Sequence, residues 1–312
     1  MLKTALRELL GASIPLLNAP MTPQAGGALA RAVSEAGGFG MLGFDEDETE
    51  ESIAQQVSIL QREPRVAFGI GLVAWVLERR PALLDLAIAA KPKFISISFG
   101  DPSPFAERVH DAGILLGSQI QNRKSAQIAI DAGVDIVTAQ GTEAGGHTGS
   151  AVGTLPLLQI VLDMTDKPVI AAGGIATGRG LAAVLAAGAA GAWIGTPFLL
   201  AEEARNSASA RERIASSDET QTIYTRVYDR VQHKGWPHEF GGRALRTPFL
   251  ERWTDREEEL LRDPAAIAQF NPEEKIYAGQ SIGLLDRVRP AAEIVQSIAG
   301  EASALIERLN RS

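Results

Sequence analysis

One ten-residue stretch concentrates the groups best able to do chemistry. Gln140-Gly141-Thr142-Glu143-Ala144-Gly145-Gly146-His147-Thr148-Gly149 sets one histidine and one glutamate among four glycines. So much glycine is poor material for a core, and its backbone is expected to lie against something. Histidine suits proton traffic near neutral pH, or the holding of developing negative charge. His147 is therefore the candidate catalytic residue, with a solvated histidine as the plain alternative. His110 falls in a helical pattern ending at Ala112-Gly113 and is expected to be solvated, and His233 and His238 lie in a later segment of different texture.

Two glycine-bearing strand ends add a second kind of chemistry. Ala171-Ala172-Gly173-Gly174-Ile175 runs into Ala176-Thr177-Gly178-Arg179-Gly180 and a helix, and Ile194-Gly195-Thr196 closes a further strand. Glycine lets a phosphate approach the backbone, and loop N–H groups with a helix N-terminus supply donors. Gly173, Gly174, Gly195 and Thr196 are the expected cradle, with tight turns as the alternative. Asn18-Ala19-Pro20-Met21 is a rigid, small strand terminus that suits a flat ring. Gln119 and Gln140 end two strands and would present amides to the same mouth.

What is missing narrows the field. There is no cysteine, so thiolate nucleophiles, disulfides and cysteine-ligated metals are out. No lysine stands at a strand's C-terminal end, which disfavours a Schiff base. The histidines are scattered, so no catalytic metal is expected. A net charge of −8 argues against nucleic acid or an anionic membrane as partner. Met1–Leu10 does not read as a signal peptide and no long apolar run occurs, so a soluble cytoplasmic protein is expected. Chemistry carried by a bound cofactor and assisted by one histidine remains.

These residues need a scaffold that brings several strand ends together. The 312 residues, 45% hydrophobic and 22% charged, suffice for one (β/α) barrel with an addition. Ala-Gly steps at 36–37, 112–113, 132–133 and 187–188 end amphipathic stretches, and apolar runs follow. Such runs read as buried parallel strands. Eight are expected: Ile14–Asn18, Phe39–Leu42, Val66–Ile70, Phe94–Ser98, Ile114–Gln119, Asp135–Gln140, Pro168–Ala172 and Ala192–Ile194. Eight closes a (β/α)8 TIM barrel, and a doubly wound open sheet is the alternative. The barrel core is expected over 1–204, completed by a C-terminal helix in 286–312. Residues 205–285, richer in Arg, Glu, Tyr and Trp, are expected as an additional helical and loop segment covering the active site.

At this point the chain resembles the nitronate monooxygenases, FMN-dependent (β/α) barrels. The likeness runs through Asn18-Ala19-Pro20-Met21, Ser34-Glu35-Ala36-Gly37-Gly38, Gln140–His147, Ala171–Gly180 and Ile194–Phe198. In the later segment it includes Gly235-Trp236-Pro237, Gly242-Arg243-Ala244-Leu245 and Ala278–Leu284. The resemblance implies FMN as cofactor. Ala19, Pro20 and Met21 would border the isoalloxazine, Gln119 and Gln140 would meet the ring edge or ribityl chain, and Gly146 would approach by its backbone. Gly173, Gly174, Gly195 and Thr196 would hold the phosphate, and His147 would act on the substrate side. The implied reaction is oxidation of a nitronate or nitroalkane with O2 to a carbonyl compound and nitrite. Some flavin barrels of this group carry lysine where Gln119 stands, and a neutral amide stabilises a reduced, anionic flavin less.

A second implied reading is an NAD(P)H-dependent reductase of an enoyl thioester or quinone, because the flavin-type enoyl reductases carry a similar Gly-Gly-His loop. A flavin-free phosphosugar barrel is a third. Monomer and homodimer both stay open.

Overall fold

The computed structural model describes residues 4–311, so the Met1 and Lys3 part of the N-terminal reading lies outside the described residues. All eight expected strands form. They are β1 (Leu16–Asn18), β2 (Gly40–Gly43), β3 (Phe68–Val73), β4 (Phe94–Ser98), β5 (Leu115–Ile120) and β6 (Ile136–Gln140). After a short β7 (Gly146–Thr148) come β8 (Val169–Ala172) and β9 (Gly191–Ile194). The eight, without β7, make one parallel sheet in the order β1-β9-β8-β6-β5-β4-β3-β2. A parallel bridge between Leu17 and Phe39 joins its two ends. Helices follow the strands and cover the outside, as buried parallel sheets require.

The last seam, between β1 and β2, has little backbone pairing of its own. A side chain completes it. The fully buried Asn18 donates from Nδ2 to Met41 O at 2.9 Å and accepts from Met41 N–H at Oδ1, also 2.9 Å. Its amide thus imitates a peptide unit of the missing strand. Trp193 Nε1 then donates to Asn18 O at 2.7 Å, tying β9 to the same point.

Below this seam the barrel is packed rather than hollow. Leu17, Phe39, Met41, Phe94, Ile136, Ile170 and Trp193 form one cluster with Leu6 and Leu10. The last two come from the helix Ala5–Leu10, which closes the floor. Small positions make room for the rings: a Cβ on Gly117 would sit 2.4 Å from Phe94. The C-terminal helix Ala291–Leu309 lies against the helices Gly178–Ala186 and Gly27–Glu35.

The later segment is not only helix and loop. It contributes β10 (Thr222–Thr225) and β11 (Gly241–Leu245), which with β7 form a second sheet in the order β10-β11-β7. The β-branched and aromatic Thr222-Ile223-Tyr224-Thr225 is good strand material, and Gly241-Gly242 disguises its partner as a turn. No helix among the described residues is long and apolar enough to cross a membrane.

Asn18→Asp tests the seam. A carboxylate accepts from Met41 N–H but cannot donate to Met41 O, and it buries a charge. We expect a loss of about 2–4 kcal/mol, read by urea unfolding; a change under about half a kcal/mol would refute the seam's role.

Candidate functional site

All eleven residues singled out from sequence line one cavity at the C-terminal rim of the barrel. Ala19, Pro20, Met21, Gln119, Gln140, Gly146, His147, Gly173, Gly174, Gly195 and Thr196 share its walls, and its volume is about 470 Å³, within the usual range for cofactor and substrate pockets. The rim follows from topology: β6, β8 and β9 are neighbours, so the loops leaving them converge.

His147 sits on β7, opposite Gly242 of β11. Its Nε2 lies 2.9 Å from Asp229 Oδ2, and both side chains are nearly buried, at 13% and 10% exposure. With Nε2–H donated to a carboxylate, Nδ1 keeps the lone pair. The indole of Trp236 stacks on the imidazole, centroids 3.5 Å apart and planes 6° from parallel. Tyr277 stands 5.4 Å away at 49°. It fits there because Gly242 has no side chain: a Cβ would lie 2.4 Å from the tyrosine ring.

Two amides fix the backbone beneath. Gln140 Nε2 donates to His147 O at 3.0 Å, and Gln121 Nε2 donates to Gln140 Oε1, also at 3.0 Å. Gln140 thus holds the histidine strand as well as lining the cavity. Gln119 also lines it, and no protein partner for its amide appears among the described residues.

Glu143, the other ionisable group of the loop, is spoken for. Its carboxylate accepts from Thr154 N–H at 2.9–3.0 Å, capping the helix Thr154–Leu162. The Thr154 hydroxyl lies 3.0–3.1 Å from Glu143 Oε2, Ala172 O and Gly173 O. One threonine therefore ties the histidine loop to the glycine end of β8.

That end forms a cradle. Gly173 and Gly174 have φ of 103° and 72°, a region that favours glycine. Among the described residues, no backbone acceptor takes the N–H groups of Gly174, Gly195 and Thr196. These donors suit an anion. The helix N-terminus expected to join them is already occupied. Thr177 Oγ1 accepts from Gly180 N–H, and Glu301 Oε2 accepts from Gly178 N–H at 2.7 Å. Thr196 Oγ1 accepts from Gly279 N–H at 2.9 Å, which leaves its own hydrogen to donate. Elsewhere on the cavity wall, a Cβ on Gly71 would lie 2.5 Å from Pro20 Cγ, so Pro20 presses directly on β3.

The outer wall is charged. Lys234 Nζ pairs with Asp47 at 2.6 Å and Glu46 at 3.3 Å. Burial raises the Asp45 carboxyl above its ordinary range. Lys275 donates to Gln232 Oε1 at 2.8 Å, and burial, with Lys234 nearby, pulls its ammonium below the usual lysine value. His110 is half-exposed beside Asp135. Asp229, Trp236, Tyr277 and Gln121 were not picked out as site residues from sequence. Only Trp236 carried a signal, through the Gly235-Trp236-Pro237 motif.

Burial raises the Tyr228 phenol to about 12. Burial, with the Asp229 charge, drives Tyr277 well above the ordinary value. In the unfolded chain both ionise near pH 10, while the folded chain keeps its protons. The folded state then binds more protons, so stability falls as pH rises above about 10. Replacing both residues by phenylalanine is expected to flatten that fall, measured by urea unfolding at pH 8 and 11; an equally steep loss would refute it.

The chain as a whole is similar to known proteins. A family model described as nitronate monooxygenase matches residues 66–301. A hydroxy-methyl-oxo-octahydroindene-carboxyl-CoA dehydrogenase of Rhodococcus jostii is 34% identical over 236 residues, covering 75% of this chain. For that relative and another curated one, the match spans 65% and 61% of the relative's own length, less than two thirds. Among solved structures, FabK of Thermotoga maritima superimposes with a TM-score of 0.86 and 28% identity over 99% of both chains. Nitroalkane oxidase of Streptomyces ansochromogenes gives 0.79 and 28%, covering 98% of this chain and 100% of that one. This chain belongs to the nitronate monooxygenase family.

Proposed function

We propose that the chain is an FMN-dependent monooxygenase that converts alkyl nitronates and nitroalkanes with O2 to a carbonyl compound and nitrite. The observation that carries this reading is the placement of His147. Asp229 and Trp236 hold it in the same cavity as a nest of unpaired backbone N–H groups.

Gly173, Gly174, Gly195 and Thr196 would hold the phosphate of FMN, Ala19, Pro20 and Met21 would border its ring, and the Gln119 amide would be the group to bond it there. Gln140 and Gly146 complete that wall. FMN, when bound, supplies an electron-accepting ring and a path for electrons to O2. The protein's own part is proton and charge handling. For a neutral nitroalkane, Nδ1 of His147 takes the proton from the carbon bearing the nitro group. For a nitronate, the protonated imidazole holds the anion. Asp229 fixes the tautomer and balances the imidazolium, a role that depends on the hydrogen bond already made. Trp236 keeps the ring plane and excludes water from one face. Residues 205–285 supply both partners and close that side of the site.

Anaerobic addition of ethyl nitronate to the purified, FMN-loaded protein is expected to bleach its visible flavin absorbance, while NADH alone leaves it unchanged. Bleaching by NADH and not by the nitronate would overturn the reading in favour of a thioester or quinone reductase. His147→Asn should keep FMN and lose at least about a hundredfold in turnover. Asp229→Asn should lower kcat by roughly tenfold or more with less effect on KM. Unchanged turnover in both variants would remove the histidine from the chemistry.

A further inference from the structure

We propose that Phe99 and Trp236 form an aromatic corner that selects nitronates bearing a flat aryl or conjugated substituent, with Phe99 as the specificity-determining residue. This deepens the function proposed above and rests on it.

Phe99 directly follows β4 and stands on the catalytic rim. Its φ is +61°, a left-handed conformation in which so bulky a residue is an outlier. Glycine is the residue that position would ordinarily carry. A glycine does stand next to it, at 100, where a Cβ would lie 2.7 Å from Ala74. The turn therefore has its small residue where the packing needs one, yet a ring is kept at the residue whose backbone is strained. Strain of this kind persists where surrounding structure imposes it, and it clusters at functional sites.

The ring is held in a fixed pose. Phe99 meets Trp236 at 4.9 Å and 84°, and Phe240 at 5.2 Å and 81°. Trp75 braces Trp236 from another direction at 5.4 Å and 69°. Phe99 and Trp236 both line the cavity that holds His147, and both remain part-exposed. Two rings meeting near a right angle offer one face and one edge. A third flat ring packs against both in the offset and edge-to-face arrangements that aromatic pairs prefer. Trp236 also stacks on His147, so a group in this corner lies beside the histidine. The acidic wall does not compete, because Lys234 already pairs with Glu46 and Asp47.

The test compares kcat/KM for the nitronate of phenylnitromethane with that for ethyl nitronate. The wild-type ratio is expected to be about tenfold or more, the scale of one or two good aromatic contacts. Phe99→Leu and Phe99→Gly should each reduce that ratio by about tenfold, and the glycine variant relieves the backbone strain. If both substrates fall equally, Phe99 only props Trp236 and the proposal fails. A wild-type ratio near one also ends it. Activity on neither nitronate would instead sink the proposed function. The corner is then tested by calorimetry with benzoate and acetate as flat and small anionic probes. Benzoate binding no tighter than acetate, or binding unchanged in Phe99→Gly, would overturn it.

Discussion

Between Asn18 and Met41 a side-chain amide stands in for a stretch of strand, and the barrel's closure hangs on it. A parallel barrel leaves N–H and C=O groups stranded wherever two neighbours fail to overlap, and in a buried seam such groups are costly. Here the first strand is only three residues long. Its last residue supplies a donor and an acceptor in the spacing of a peptide unit, and Trp193 takes the carbonyl that is left. Closure in turn curves the wall on which β6, β8 and β9 are already neighbours, which gives their loops a common rim. Ala19, Pro20 and Met21 leave the seam directly into that rim, so the most constrained part of the barrel leads straight into the cavity wall.

On the rim, polar side chains are used to hold backbone before they are used for anything else. Glu143 caps a helix, Thr154 joins two loops, and Gln140 and Gln121 carry the carbonyl of His147. Among the described residues, what remains uncommitted includes the backbone N–H groups of Gly174, Gly195 and Thr196, the Gln119 amide and one imidazole nitrogen. Sparse donors on a fixed frame are what electrostatic preorganisation requires, because nothing need rearrange when a ligand arrives.

The barrel was legible because its signals are local. A strand buried on both faces reads as an apolar run, and a glycine after a helix marks where that run begins. The rim glycines and His147 were legible for the same reason: so many glycines in one short run are a local signal of backbone in close approach to something. Asp229 was not, since it is 82 residues from His147 and Tyr228-Asp229-Arg230 looks like any half-solvated helix turn. The β7–β10–β11 sheet was hidden because one of its strands is three residues inside a loop and another begins with two glycines. The helix end after β8 misled in the other direction. Its sequence advertises free donors, and the distant Glu301 consumes one of them.

His147 does not belong to the barrel sheet. It rides on β7, hydrogen-bonded to β11 and faced by Asp229 and Trp236, all three from residues 205–285. The 205–285 segment is thus a bearing for the imidazole, and loop and segment form one structural unit. A chimaera grafting a foreign segment onto this scaffold would leave the imidazole without its axle and would also cost Thr196 its contact with Gly279.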